Sequence, residues 1–472
     1  REDKAVRQAI RHLYVVAAMG LALVLAGCSD DSDRQAPVEP QPMQLPIVFV
    51  HGQLGSAQQF ETQAMRFTSN GYPRELLFAF EYDTGQDVNP LGDLDDFLND
   101  VLAATGASQV YAIGHSRGTS VWTAYLEDAA FDGPGKVAKY VNIDGRSPEA
   151  LPGGVPTIGI WGEWNSAGSG FNRREDGGDA QIGPDPEANY HFPEKSHTET
   201  ATSAEAFALM YRFLTGVEPA TTEVNAETSG TVEVAGRVLL FPDNIGYGAA
   251  TLQLWEIDAD TGQRTAASPA ATFELGDSGD FGPVAVSVDK DYEFALLRAA
   301  TEALPVPTVH HFYGERFYHD NYFVRLLTSI PGESIEAAIP LYEDSASLVM
   351  SRQKEFWGDQ GATSDELFID GLNVLTADIS PRAVGEGSGV NLAVFAFDAE
   401  GDNITDLERG ELFPFSVLTF LTGVDVFIPA ASGGTGTTEI VLVHRGGEES
   451  RLNVPNWPSA DNRVSVMFRD DR

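Results

Sequence analysis

The hydrophobic pattern has two textures. Between Leu45 and about Gly216, short apolar runs alternate with segments whose apolar residues recur every three or four positions. Residues 45–50, 75–82, 109–113, 137–143 and 155–161 are rich in Val, Ile, Phe and Tyr and nearly continuous in hydrophobicity, as strands buried on both faces of a parallel sheet are. Residues 58–70, 91–105, 118–130 and 203–214 have helical spacing; Leu91, Leu94, Phe97, Leu98, Val101 and Leu102 make one such stripe. This alternation predicts an α/β domain over 45–218, with helices on both faces of a parallel sheet.

After Gly216-Val217-Glu218-Pro219 the helical period fades. Residues 231–241, 250–257, 284–288, 292–297 and 391–397 are short apolar segments set between Gly, Pro, Asn and Asp. They predict an all-β C-terminal region of sandwich or barrel type. The Pro-rich Leu304-Pro305-Val306-Pro307 divides it into 219–306 and 307–472, the latter a second β domain or a continuation of the first.

The N-terminus belongs to neither texture. Lys4, Arg7 and Arg11 precede an apolar run, 13–27, that closes on Leu25-Ala26-Gly27-Cys28. Its 15 residues fall short of the ~20 that a spanning helix needs, and the small residues before the cysteine are those of a signal peptide over 1–27. Leu-Ala-Gly-Cys resembles a bacterial lipobox, which implies acylation of Cys28 and attachment to a bacterial membrane. Ser29, not Asp, follows the cysteine, which resembles lipoproteins exported to the outer membrane; release outside the cell is the alternative. Residues 28–44, with Asp, Ser, Pro and Gln, read as a flexible tether.

Composition narrows the chemistry. The chain has 472 residues and one cysteine, Cys28, so neither an intrachain disulfide nor a cysteine metal site can form. Its net charge of −40 argues against nucleic acid as a partner, because phosphates demand a basic surface. Asp398, Glu400, Asp402 and Asp406 are closely spaced, but not as a complete calcium-binding motif, and read as a solvated turn; no metal or other cofactor is called for.

The candidate chemistry lies at Gly114-His115-Ser116-Arg117-Gly118, between the run 109–113 and a helical segment. Strand, Gly-x-Ser-x-Gly and helix in succession form a nucleophile elbow, in which flanking glycines let a serine occupy a strained turn at a helix N-terminus. A serine hydroxyl needs a base, and the base an orienting acid. Two histidines, His191 and His197, follow the last strand and precede the final helix. His197, next to that helix, is favoured over His191. Asp144 and Glu163, each after a strand, compete for the acid. The loop His51-Gly52-Gln53 should supply one oxyanion amide, from Gln53, and Arg117 the other.

These residues together resemble the Archaeoglobus-type lipases, carboxylesterases with an α/β-hydrolase domain followed by a C-terminal β domain. The likeness rests on His51-Gly-Gln-Leu-Gly-Ser-Ala-Gln-Gln-Phe-Glu, Met65-Arg-Phe, Asn70-Gly-Tyr-Pro, Phe80-Glu-Tyr-Asp-Thr, the elbow, Ile143-Asp-Gly, Pro219-Ala-Thr-Thr and Gly446-Gly-Glu-Glu-Ser. The resemblance implies Asp144 as the acid in preference to Glu163, His197 as the base, and a β domain that helps to handle long acyl chains. It also implies an ester or lipid substrate. Two departures stand out. Only residues 85–90 connect Thr84 to the next helix, where relatives carry a long lid, so a reduced lid, an open serine and even polymeric esters are expected. Arg117 stands where relatives commonly have Met, and its guanidinium is expected either to attract an acidic product or to point to solvent. Rival readings are a peptidase or amidase with the same triad, and a non-catalytic lipoprotein that binds lipid or carbohydrate.

Overall fold

The computed structural model describes residues 44–86, 88–162, 179–358, 364–380, 391–410, 412–413, 415–418 and 420–470. Cys28, the expected signal peptide, the expected tether up to residue 43, and Glu163 lie outside the described residues.

Six strands, β1 (Ile47–Val50), β2 (Leu77–Phe80), β3 (Val110–His115), β4 (Val137–Ile143), β5 (Thr157–Trp161) and β6 (Asn189–His191), form one parallel sheet in the order β2-β1-β3-β4-β5-β6. The helices are α1 (Glu61–Ser69), α2 (Leu91–Thr105), α3 (Arg117–Glu127), α4 (Gly133–Lys136), α5 (Glu199–Thr202) and α6 (Ala204–Thr215). Side chains alternate across β1: Ile47 and Phe49 enter a core with Phe67 of α1 and Phe207 of α6, while Val48 and Val50 enter another with Leu94 and Leu98 of α2 and Trp122 of α3. Helices therefore cover both faces, as the patterning predicts, and the fold is that of an α/β-hydrolase.

The differences are local. A 3-10 turn, Ala57–Phe60, precedes α1, and another, Arg74–Leu76, occupies the expected start of β2. Helix α3 ends at Glu127, short of 130. Strand β6, three half-buried residues without an apolar run, has no signature that periodicity could detect.

The C-terminal region is mostly strands: β7 (Thr231–Leu240), β8 (Ile245–Gly246), β9 (Thr251–Ile257), β10 (Ala271–Glu274), β11 (Asp280–Ser287), β12 (Asp291–Arg298), β13 (Thr308–Gly314), β14 (Asn321–Thr328), β15 (Leu348–Phe356), β16 (Glu366–Ile369), β17 (Leu372–Asn373), β18 (Asn391–Phe397), β19 (Phe420–Asp425), β20 (Thr437–Val443), β21 (Glu449–Pro455) and β22 (Asn462–Met467). An eight-stranded mixed sheet runs β10-β9-β12-β13-β22-β15-β18-β19, beside smaller sheets β11-β7-β14, with β8 on β7, and β17-β16-β20-β21. Leu304-Pro305-Val306-Pro307 joins β12 to β13, which pair directly, so this proline segment is a turn within one sheet.

The β region is seated on the α/β region through buried contacts. Phe323 of β14 meets Phe49 edge-on at 5.8 Å. Arg325 Nε lies 2.5 Å from Glu81 Oε1, and Asn244 donates to Glu81 Oε2 at 2.7 Å. Burial pushes the Glu81 carboxyl up, but Arg325 and His51 more than offset this and hold it below the usual range.

Candidate active site

Ser116 sits between β3 and α3 with φ 52° and ψ −121°, a strained conformation for a residue with a Cβ. The flanking glycine is required by packing: a Cβ on Gly118 would lie 2.1 Å from the Val50 carbonyl oxygen, so only glycine lets α3 start against β1. Ser116 is half-buried and its amide is tied to Ile143 O at 3.0 Å.

At the end of β4, Asp144 is buried and also has positive φ, 45°. Its Oδ1 accepts from the Gly162 amide at 2.9 Å and its Oδ2 lies 2.6 Å from His197 Nδ1. A carboxylate only accepts, so Nδ1 carries the proton and Nε2 is the basic nitrogen of the neutral ring. His197 is 6% exposed. His191, in contrast, is in β6 with Nε2 2.8 Å from Ala180 O, stacked on Trp161. His197 is thus the histidine that meets Asp144.

Two further histidines brace the site. His115 Nε2 lies 2.9 Å from the His197 carbonyl oxygen and must donate. Burial, then the neighbouring His197, holds its pKa well below the usual value, so it stays neutral. His51 stacks on Tyr82 at 4.5 Å, Tyr82 Oη donates to the His51 carbonyl, and Asn244 donates to His51 Nε2 at 3.0 Å. This fixes the loop carrying Gly52 and Gln53 against Ser116: a Cβ on Gly52 would be 3.0 Å from Ser116 Cβ. The Arg117 amide opens α3 and has no carbonyl four residues back in the helix to bond.

Neither expectation for the Arg117 side chain describes it. Nη1 donates to Gln53 Oε1 at 2.5 Å and to Thr84 O at 2.9 Å; Nη2 donates to Gln86 O and to Val88 O at 3.3 Å. The guanidinium clasps the rim loop, and Thr84 pins that loop to the β region through Asp243 O and Pro242 O.

Ser116, His197, Gly52 and Gln53 line one cleft of about 790 Å³, counting its open mouth. Its opposite wall is the β region: Phe241, Leu327, Ser351, Ala393 and Leu421. That wall escaped sequence reasoning, as did Glu355, which binds the loop bearing His197. Among the described residues no group of three or more His, Cys, Asp or Glu side chains is placed to hold a metal ion, and the carboxylate of Asp398 is engaged by the amides of Gly401 and Asn403.

The fold is that of an α/β-hydrolase. A class 2 lipase model matches residues 44–127, a lipase C-terminal domain model residues 230–331, and a further C-terminal domain model residues 334–472. The lipase matches support a hydrolase of the lipase and esterase kind. Among solved structures, the chain is similar to the lin2722 gene product of Listeria innocua, with 16% identity over 38% of this chain and 97% of that one and a TM-score of 0.28. It is also similar to the lipase BlEst2 of Bacillus licheniformis in mature form, 16% identical over 38% and 96% of the two chains with a TM-score of 0.26.

Proposed function

We propose that the protein is a serine carboxylic-ester hydrolase that works through an acyl-enzyme on Ser116. The observation that carries this reading is the 2.6 Å contact between His197 Nδ1 and Asp144 Oδ2, in the same cleft as a serine strained at a strand–helix turn. Ser116 Oγ attacks the ester carbonyl and passes its proton to His197 Nε2, while Asp144 holds the ring and stabilises the imidazolium. The tetrahedral oxygen faces the amides of Gln53 and Arg117. Collapse expels the alcohol, which takes the proton from His197. Water, deprotonated by the same ring, then releases the acid.

The rim formed by Thr84, Gln86 and Val88 acts in this reading as a fixed edge, because Arg117 and the β region hold it. The wall contributed by Phe241, Leu327 and Leu421 is apolar and suits an acyl chain. Cys28 is proposed as the site of lipid attachment, checked by mass spectrometry of the N-terminal peptide.

A chain-length series of p-nitrophenyl esters, with an alkyl-phosphonate label located by peptide mass spectrometry, tests the mechanism. Hydrolysis that Ser116→Ala abolishes, with the label on Ser116, is expected. Activity surviving that substitution sinks the proposal, and cleavage of amides in preference to esters moves it to a peptidase.

A further inference from the structure

Across the wall of the Ser116 cleft lies a second cavity, of about 760 Å³ counting its opening to solvent, lined by the β region and by Gln58. Phe241, Leu327, Ser351, Ala393 and Leu421 line both, so the two spaces share a wall. The second cavity continues over apolar residues, among them Phe312, Ile335, Ile339, Val349 and Phe395. It also reaches a group absent from the serine cleft: Arg298, Glu336, His310 and Arg463.

The charges of that group do not balance. Arg298 grips Glu336 with two contacts, Nη2 to Oε1 at 2.9 Å and Nη1 to Oε2 at 3.2 Å. Arg463 Nε approaches the same Oε1 at 2.5 Å. Two guanidiniums therefore share one carboxylate. His310, bonded to Thr328 Oγ1 and Ser465 Oγ, adds no charge, because burial first, then Arg298 and Arg463, holds its pKa well below the usual value. Arg325, which also lines the cavity, is answered by Glu81. The other acid acting on Arg463 is Asp461, which is exposed and so screened. All three ion-pairing side chains, Arg298, Glu336 and Arg463, are at most 5% exposed, and among the described residues Arg463 Nη2 has no hydrogen-bond acceptor.

We infer that this cavity receives the far end of the acyl chain and recognises a terminal carboxylate there, so that half-esters of α,ω-dicarboxylic acids are favoured over simple alkanoates. The inference rests on the esterase reading of Ser116. A methyl-terminated chain filling the cavity leaves the second guanidinium of the Arg298–Glu336–Arg463 group without an anion of its own. A carboxylate supplies the missing anion to the two guanidiniums. A site built around a buried polar group discriminates strongly against the analogue that cannot pair with it.

The test compares p-nitrophenyl esters of dicarboxylic acids, the second carboxyl free, with p-nitrophenyl alkanoates of equal length, across four to sixteen carbons. At short lengths neither is favoured. Once the chain reaches the cavity, kcat/KM for the carboxylate-ended ester is expected to exceed that for its partner about 10-fold or more. In Arg463→Gln the ratio should fall towards one, and because both substrates are read in one preparation the ratio is independent of how much of the variant folds. A wild-type preference for methyl ends at every length overturns the inference, as does a ratio that Arg463→Gln leaves intact. If no ester is hydrolysed at all, the esterase reading has failed separately. Calorimetric titration of Ser116→Ala with methyl hydrogen dodecanedioate and methyl dodecanoate then decides the cavity alone, and tighter binding of the neutral methyl dodecanoate than of the half-ester refutes it.

Discussion

The backbone amide of Thr198 donates to Glu355 Oε1 at 2.6 Å, joining positions 157 residues apart. The other oxygen of Glu355 accepts from the Ser196 hydroxyl and from the Glu199 amide at 3.3 Å. One buried carboxylate on β15 thus holds the residues on either side of His197. The β region sets the position of His197, the proposed base, as well as walling the cleft.

Replacing Glu355 by Gln puts an amide nitrogen where one oxygen now accepts, so at least one buried donor of the His197 loop is left facing another donor. A destabilisation of about 2–4 kcal/mol is expected, from a lost charge-assisted bond plus an unpaired donor. As a positioning residue, Glu355 should affect kcat per active site, counted with a phosphonate titrant, and leave KM nearly unchanged. A loss confined to the fraction of active enzyme would show a structural role only.

Glu355 also marks where reading the chain stopped. The parallel sheet was legible because its strands are buried on both faces and stand out as apolar runs; β1, β3, β4 and β5 fall within a few residues of expectation. The elbow was legible because its glycines are demanded locally, by the closeness of β1 to α3. In Gln353-Lys354-Glu355 the charged residues look like solvated surface, yet Glu355 is fully buried, because a partner loop from the other region covers it. The cleft wall from Phe241, Leu327, Ala393 and Leu421 depends on strand order across the β sheets, which no local period encodes.

Arg117→Met removes the clasp on Gln53, Thr84, Gln86 and Val88 but keeps the backbone amide proposed for the oxyanion hole. A loss of stability of about 1–2 kcal/mol is expected, together with faster proteolysis of the rim. The kcat for short esters should fall less than 10-fold, well below the ~10²- to 10³-fold cost of deleting an oxyanion donor. Urea denaturation and limited digestion with proteinase K, which needs no Lys or Arg in the rim, read beside ester kinetics, measure each part.

Asp470 supplies the pH dependence. Burial pushes its carboxyl up to about 6 against the pull of Arg352 and Lys354, while Oδ2 accepts from the amides of Gln353 and Lys354. A carboxyl whose folded pKa is raised favours the folded state while protonated. That stability is whole below about pH 4 and is lost as pH rises through about 6. Asp470→Asn keeps an acceptor for the two amides and cannot ionise. It should exceed wild type in stability at pH 8 by up to about 3 kcal/mol, with the difference vanishing below pH 4, in denaturant titrations across that range.

Gly118→Ala probes the closest approach in the nucleophile turn. The added Cβ would meet the Val50 carbonyl oxygen at 2.1 Å and the His51 carbonyl oxygen at 2.7 Å, both backbone atoms that cannot rotate away. Relief requires α3 to withdraw from β1, which carries Ser116 and the Arg117 amide away from Gln53 and His197. Both stability and rate should suffer: about 3 kcal/mol or more in unfolding, as overpacking against backbone costs, and a fall in kcat/KM of at least ~100-fold in whatever folds. Gly71→Ala is the matched control, since nothing lies within 4 Å of the Cβ it would add; its φ of 76° brings only a backbone penalty of roughly 1 kcal/mol. Comparable activity in the two variants would mean that the turn tolerates separation from β1, and that the strain at Ser116 is not maintained by that contact.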